Sequence, residues 1–134
     1  MDRYVVIGNP VAHSRSPDIH ARFAAQTGEA IAYDRLFAPI GEFARVAGEF
    51  FAGGGRGANV TLPFKVDACG FARERTERAE LAGAVNTLIA QDGVVAGDNT
   101  DGVGLVTDLA DNLASFCAEL SEADCAHGWL IGID

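Results

Sequence analysis

The sequence predicts an α/β fold in which a mainly parallel sheet is flanked by helices on both faces and a C-terminal hairpin forms an antiparallel edge. Three observations support this fold class. Short apolar runs alternate with segments whose apolar residues recur at helical spacing, which is typical of βαβ units. Glycine and proline residues mark most boundaries between these segments. Asp92-Gly93 lies between two apolar runs and therefore predicts a two-residue hairpin turn.

The first half of the chain alternates between predicted strands and helices. We predict a buried strand at Tyr4–Ile7, because this apolar run ends at a glycine, an asparagine and a proline. A helix should begin with Ser16 as its N-cap and Pro17 at its first position, and should end at Gly28. The next two elements are a strand over Ala30–Phe37 and a helix that carries Phe43, Val46 and Phe50.

The second half continues the alternation as far as the hairpin. A strand at Ala58–Leu62 leads into a helix that starts at Pro63, and the charged segment Arg73–Glu80 is predicted to be a solvated helix or loop. A longer helix should follow Gly102, because apolar residues recur there on one face. The remaining predictions are the hairpin strands Val85–Gln91 and Val94–Gly97, the helix face Leu105, Leu109, Leu113 and Phe116, and a strand beginning within Trp129–Asp134.

Composition and charge restrict the class of protein. A net charge of −9 weighs against binding to nucleic acid or anionic membranes, both of which require basic patches. No apolar run approaches the roughly 20 residues of a membrane span, and the N-terminus lacks the pattern of a signal peptide. Cys69, Cys117 and Cys125 have no metal-ligand spacing, and their odd number argues against a disulfide framework. We therefore expect a cytoplasmic protein without a metal site.

Four polar clusters lie at predicted loops or strand ends. Because the carboxyl ends of strands face the ligand crevice of an α/β sheet, we expect the first two clusters to meet there. Asn59 and Thr61 are two residues apart on a predicted strand, so their side chains should share one face, which predicts a pocket. The clusters are Ser14-Arg15-Ser16, Asn59-Val60-Thr61, Asn86-Thr87 and Asn99-Thr100-Asp101.

Lys65 is the only lysine in the sequence and follows the second cluster closely. A lysine can give up its proton whereas an arginine stays charged, so lysine is the cation suited to proton transfer. Paired with an aspartate, such a lysine can pass a proton to or from a hydroxyl or carbonyl oxygen. The histidines His13, His20 and His127 are weaker candidates for this chemistry.

Each of these residues also has a purely structural interpretation. Ser16 can be an N-cap only, and Thr61 can cap the helix that follows it. Asn86 can bond its own backbone, Asp101 can cap the long helix, and Lys65 can be a solvated surface lysine. The pocket hypothesis depends on the four clusters occurring together around one lysine.

Four stretches of the sequence resemble the N-terminal, substrate-binding domain of shikimate dehydrogenase. They are Gly8–Pro17 (GNPVAHSRSP), Gly57–Lys65 (GANVTLPFK), Gly83–Leu88 (GAVNTL) and Gly97–Gly102 (GDNTDG). The stretches occur in the order of the family and together span nearly the whole chain. The resemblance implies an oxidoreductase that reduces 3-dehydroshikimate to shikimate with NADPH, in the biosynthesis of chorismate and the aromatic amino acids.

The resemblance also implies roles for individual residues. Lys65 and Asp101 match the pair to which the family assigns proton transfer. Hydroxyl- and amide-rich walls are compatible with a small polyhydroxy acid as substrate. The residues implied to hold the carboxylate side and a ring hydroxyl are Ser14, Ser16, Asn59 and Thr61, and those implied at the reacting end are Lys65, Asn86 and Asp101.

The domain organisation follows from the same resemblance. Residues 1–101 would form the substrate-binding domain, and residues 102–134 a linker helix and the start of a cofactor-binding domain. No glycine-rich phosphate loop follows Trp129–Asp134, so we expect the NADP-binding residues to lie outside these 134 residues. We therefore expect this chain alone to bind substrate without transferring hydride.

Three alternatives share these features. A quinate or quinate/shikimate dehydrogenase relative would differ in substrate range. A non-catalytic shikimate-binding module would keep the pocket and use no cofactor. A structural α/β domain would use the polar clusters only as caps and turns. The sequence leaves open the choice between NADP and NAD and the formation of a homodimer.

Overall fold

A computed structural model describes the backbone of residues 1–119 and the side chains of residues 1–112. The chain divides into two compact units, Met1–Thr100 and a second unit that begins at Asp101. The assignment of residues 1–101 to a substrate-binding domain stays a prediction. Within the described residues, no helix is both long enough and apolar enough to cross a membrane. The strand predicted within Trp129–Asp134 and the contacts of Leu113 and Phe116 lie outside the described residues.

The strands form one mixed sheet. They are β1 (Asp2–Gly8), β2 (Ile31–Phe37), β3 (Gly55–Val60), β4 (Glu74–Arg75), β5 (Thr87–Gln91) and β6 (Val94–Asp98). The six strands are ordered β2-β1-β3-β5-β6-β4. β1 pairs in parallel with β2 and β3, and β4 pairs in parallel with β6, whereas β5 is antiparallel to β3 and β6. The predicted α/β fold with a parallel part and an antiparallel hairpin is therefore confirmed.

The core lies on one face of the sheet. Phe43 and Phe64 are the largest fully buried side chains, and their ring centroids lie 5.4 Å apart beside Val5 of β1. Tyr4 precedes Val5 in β1, so its side chain is on the face of the sheet opposite to the core. Tyr33 pairs with Tyr4 and therefore lies on that same face, where its ring stacks on His20 of the first helix. The helices are α1 (Ser16–Thr27), α2 (Phe43–Ala52), α3 (Lys65–Phe71), α4 (Glu77–Ala82) and α5 (Asp101–Glu119).

The start of α1 differs from the prediction. Arg15, not Ser16, is at the N-cap position, and no side chain caps the helix there. Instead, the Ser14 hydroxyl accepts the N–H of Ser16 at 3.3 Å. The predicted end is confirmed, because Gly28 has the left-handed φ of 75° that closes many helices. Ser16 is therefore a residue of the first turn, and its interpretation as only an N-cap is wrong.

The start of α3 also differs from the prediction. Phe64 is at the N-cap position, one residue after Pro63, and no side chain caps the helix. Thr61 contributes its backbone carbonyl, which accepts the Phe64 N–H at 3.1 Å. The interpretation of the Thr61 side chain as a helix cap is therefore wrong.

The charged segment Arg73–Glu80 holds more regular structure than predicted. It contains β4 and the first turn of α4, and the Thr76 hydroxyl caps α4 by accepting the Ala79 N–H at 3.3 Å. Because β4 covers the outer side of β6, the β5–β6 hairpin lies inside the sheet and does not form the predicted antiparallel edge. Its turn is as predicted, since both Asp92 and Gly93 have positive φ, 50° and 79°.

Candidate functional site

Backbone hydrogen bonds bring the segments after β1 and β3 side by side. The Thr61 N–H donates to the Ile7 carbonyl, and the Asn9 N–H donates to the Leu62 carbonyl, each at 3.0 Å. The Val60 N–H donates to the Asn86 carbonyl at 2.7 Å. The second and third polar clusters therefore meet at the carboxyl ends of two parallel strands, the edge at which α/β sheets bind ligands.

Asn86 is the buried centre of these polar groups, with 9% of its surface exposed. Its Oδ1 accepts the Thr100 N–H at 3.0 Å and the Thr87 hydroxyl at 2.9 Å. Its Nδ2 donates to the Thr100 hydroxyl at 2.9 Å, and its backbone N–H donates to the Asp98 carbonyl at 3.0 Å. Asn86 thus joins the third cluster to the loop that carries the fourth.

Lys65 is half-buried at the first position of α3. Its carbonyl accepts the Val85 N–H at 2.8 Å, which places the start of α3 beside the residue before Asn86. The preceding residue, Phe64, is 1% exposed and packs in the core. The backbone of Lys65 is therefore anchored from two directions, at the end of the sheet where Asn86 lies.

The Ser14–Ser16 segment is held by Arg35 of β2. Nε and Nη2 of Arg35 both donate to the Ser14 carbonyl, at 2.9 and 2.6 Å. The Ser14 hydroxyl donates to the Ser16 hydroxyl at 3.2 Å, and both serines are half-buried. Two fixed hydroxyls near a guanidinium are suited to binding a carboxylate. Sequence reasoning missed Arg35. It lies two residues after Tyr33 in β2, so the two side chains share one face of the sheet.

Asn59 is held by Tyr33, which sequence reasoning also missed. The Tyr33 hydroxyl donates to Asn59 Oδ1 at 2.7 Å, and its ring stacks on His20 with a centroid distance of 4.1 Å. Burial raises the pKa of Tyr33 to about 12, while a hydrogen bond with the Ser16 side chain acts in the opposite direction. The phenol therefore keeps its proton at neutral pH and remains a donor.

Asp101 is exposed and opens α5 in the second unit. An acidic side chain in the first turn of a helix is favoured by the helix dipole. The pairing of Asp101 with Lys65, which the resemblance implies, stays a prediction.

Asp98, just before the fourth cluster, anchors the loop that carries it. Its Oδ1 accepts from Arg78 Nε, the Thr76 hydroxyl and the Asn99 N–H, each at 2.7 Å. The Arg78 guanidinium foremost, with help from the other two donors, holds the pKa of Asp98 well below its usual range, against the opposing effect of burial. Three hydrogen-bonded groups thus fix the backbone that leads into Asn99.

This lowered pKa predicts how stability depends on pH. The folded state binds the Asp98 proton less tightly than the unfolded state, so the carboxylate stabilises the fold above about pH 4 and this contribution is lost as the pH falls further. Asp98→Asn should therefore lower the melting temperature at pH 7, and its difference from the wild type should shrink at pH 3. Asp34→Asn, at an exposed position of β2, is the control. A difference that stayed constant between the two pH values would contradict the expectation.

Gly8 allows Thr61 to lie against the end of β1. A Cβ atom at Gly8 would lie 2.4 Å from Thr61 Cγ2, closer than non-bonded carbon atoms approach. Gly8→Ala should therefore force the Thr61 side chain to move and lower the free energy of unfolding by about 1–3 kcal/mol, as overpacking commonly does. Gly70→Ala in α3 is the matched control, because no atom lies within 4 Å of its added Cβ. Urea unfolding checks the pair, and equal stabilities would contradict the prediction.

A groove of about 500 Å³ beside α1 shares Tyr33, Asn59 and Thr87 with this site. Its lining also includes Tyr4, Phe23 and Ile89, which give it a largely apolar wall. An apolar wall does not suit a ligand that presents several hydroxyl groups. We therefore place the candidate site at the polar strand ends and not in this groove.

The described residues do not suit a dinucleotide or a metal ion. The glycine run Gly53–Gly57 leads from α2 into β3, whereas a dinucleotide-binding loop leads from a strand into a helix whose N-terminus holds the pyrophosphate. Among these same residues, no three His, Cys, Asp or Glu side chains are grouped to hold a metal ion.

Comparisons with known proteins give a consistent result. Residues 6–88 match the family model described as the shikimate dehydrogenase substrate binding domain. A shikimate dehydrogenase (NADP(+)) of Cupriavidus taiwanensis is 66% identical over 112 residues, which are 84% of this chain and 38% of that protein. An Ael1 enzyme from Pseudomonas putida matches in structure with a TM-score of 0.82 and 40% identity, over 85% of this chain and 42% of that one. A shikimate 5-dehydrogenase from Thermus thermophilus, solved in complex with NADP(H) and shikimate, matches with a TM-score of 0.79 and 34% identity, over 84% and 42%. The chain thus spans about two fifths of the length of these relatives.

Proposed function

We propose that this chain, which belongs to the family of shikimate dehydrogenase substrate-binding domains, binds shikimate and 3-dehydroshikimate at the polar ends of β1 and β3. The observation that carries the proposal is the convergence of fixed hydroxyl and amide groups around the Asn86 side chain and the start of α3. In the gene product that contains these residues, the site would serve the NADP-dependent reduction of 3-dehydroshikimate. The names of the relatives support this reaction.

The two sides of the site have different roles in this proposal. The half-buried hydroxyls held by Arg35 face the carboxylate and a ring hydroxyl, and the ammonium and buried amide face the reacting end. Lys65, with Asp101 as its partner, supplies a proton to the carbonyl oxygen of 3-dehydroshikimate as that oxygen becomes a hydroxyl. The carboxylate side consists of Ser14, Ser16, Asn59 and Thr61, and the reacting end of Lys65, Asn86 and Asp101.

The cofactor belongs to the reaction of the whole gene product. NADPH supplies the hydride in that reaction, and the residues described in this chain do not suit its binding. A cytoplasmic location is also part of the proposal, because the composition of the chain and the family suggest it. A homodimer is compatible with the proposal, and the family leaves it open.

Calorimetry with shikimate tests the proposed binding site. The gene product that contains these residues should bind shikimate, and Thr61→Val should weaken binding by about 3- to 30-fold because it removes one hydroxyl and keeps the methyl that contacts Gly8. Thr27→Val is the matched control, because Thr27 is exposed at the end of α1. Absence of shikimate binding by the wild-type protein would overturn the proposal.

Parallel measurements distinguish the alternatives. A quinate dehydrogenase relative would turn over quinate at a rate comparable to shikimate, whereas the proposed enzyme should strongly prefer shikimate. A non-catalytic module would bind shikimate without turnover when NADP is added. A purely structural domain would bind neither ligand.

A further inference from the structure

The site contains a chain of side-chain hydrogen bonds that begins outside the four polar clusters. The Tyr33 hydroxyl donates to Asn59 Oδ1 at 2.7 Å, and Asn59 Nδ2 lies 3.5 Å from Thr87 Oγ1. Thr87 donates to Asn86 Oδ1 at 2.9 Å, and Asn86 Nδ2 donates to the Thr100 hydroxyl at 2.9 Å. The bonds connect β2, β3 and β5 with the loop after β6.

The direction of this chain of donors is fixed by one backbone group. The Thr100 N–H can only donate, so the Asn86 atom that it contacts at 3.0 Å must be the carbonyl oxygen. Thr87 has a single hydroxyl proton and donates it to that oxygen, so Thr87 Oγ1 acts as an acceptor toward Asn59. The amide nitrogen of Asn59 therefore faces Thr87, and its oxygen faces Tyr33.

Tyr33 reaches Asn59 across an intervening strand. β1 lies between β2 and β3, so the two residues are separated by two strand spacings, about 10 Å. Val6 of the intervening strand β1 pairs with Asn59 and is 3% exposed. The position between Tyr33 and Asn59 on β1 is therefore apolar and buried. The ring is fixed from the other side by its stacking on His20, with an interplanar angle of 13°.

We propose that Tyr33 is a positioning residue that orients the Asn59 amide for binding the substrate. This inference rests on the proposed function. Without the phenol donor, the Asn59 oxygen loses its partner and the amide can turn, which would present the wrong group to a ligand hydroxyl. The stacked and half-buried ring keeps the donor in place before the substrate arrives, so less ordering is required on binding.

Binding measurements on Tyr33→Phe test the proposal, because this change removes one oxygen atom and keeps the ring. We expect shikimate affinity to fall by about 3- to 10-fold. In an Asn59→Ala background, the same change should alter affinity by less than about twofold, because the group that Tyr33 orients is already gone. Tyr4→Phe on the neighbouring strand is the matched control and should leave affinity unchanged.

The outcomes separate this proposal from the proposed function. If the wild-type protein binds shikimate and Tyr33→Phe binds equally well, the positioning role is overturned and the function stands. An equal loss in both backgrounds would show that Tyr33 acts independently of Asn59, and would also overturn the positioning role. An NMR readout is independent of the ligand: the side-chain NH₂ signals of Asn59, assigned by their loss in Asn59→Ala, should shift in Tyr33→Phe and not in Tyr4→Phe.

Discussion

Replacing Lys65 by methionine should lower the rate of 3-dehydroshikimate reduction by about 10²- to 10⁴-fold, the usual contribution of a general acid or base. During reduction the carbonyl oxygen gains negative charge and must take up a proton, which the Lys65 ammonium donates in the proposed mechanism. Methionine retains much of the half-buried stem but has no proton to give. Steady-state kinetics of the gene product that contains these residues, assayed with NADPH, give the measurement.

A second variant separates proton transfer from the effect of charge alone. Lys65→Arg keeps the positive charge, but a guanidinium does not release its proton at neutral pH. We expect kcat to fall by at least about 100-fold with a smaller change in KM, since binding needs the charge and the reaction needs the proton. Val66→Ala, at the neighbouring and 70% exposed position, is the control. An arginine variant with nearly normal kcat would contradict the proton-transfer role.

The longer elements of the fold could be predicted because burial imposes a period on the sequence. Phe43, Val46 and Phe50 recur at helical spacing, and all three are buried on the core side of α2. Strand β4 could not be predicted in this way, because two residues have no period and their pairing with β6 is non-local. Capping preferences misplaced the starts of α1 and α3, where contacts of distant segments determine the backbone.

The residues of the candidate site also fall into a group that could be predicted from the sequence and a group that could not. The polar clusters could be identified because several hydroxyl and amide residues stand together where strands end. The residues that position them could not, because each acts on a partner distant in sequence: Tyr33 is 26 residues from Asn59, and Arg35 is 21 residues from Ser14. Asp98 likewise bonds Arg78, which lies 20 residues earlier. Such pairings depend on the order and register of strands, which periodicity does not give.

Asn86→Ala should lower the free energy of unfolding by about 2–3 kcal/mol, because alanine removes both amide atoms from a buried network. The Thr100 N–H and the Thr87 hydroxyl would lose their acceptor, and the Thr100 hydroxyl would lose a donor. The backbone bonds of Asn86 to Val60 and Asp98 do not involve the side chain, so the β3–β5–β6 pairing should survive. The variant should therefore fold, but with a weaker connection between β5 and the loop after β6.

Urea unfolding followed by circular dichroism measures this loss, and hydrogen exchange locates it. Exchange of the Thr100 amide should accelerate much more than that of the Val60 amide, which donates to the Asn86 backbone carbonyl at 2.7 Å and keeps its acceptor. Asn112→Ala, which removes an exposed asparagine bonded only locally to Asp108 in the described structure, should change stability by less than about 0.5 kcal/mol. If Asn86→Ala were as mild as this control, the buried amide would not hold β5 and the loop after β6 together, and the expectation would be contradicted.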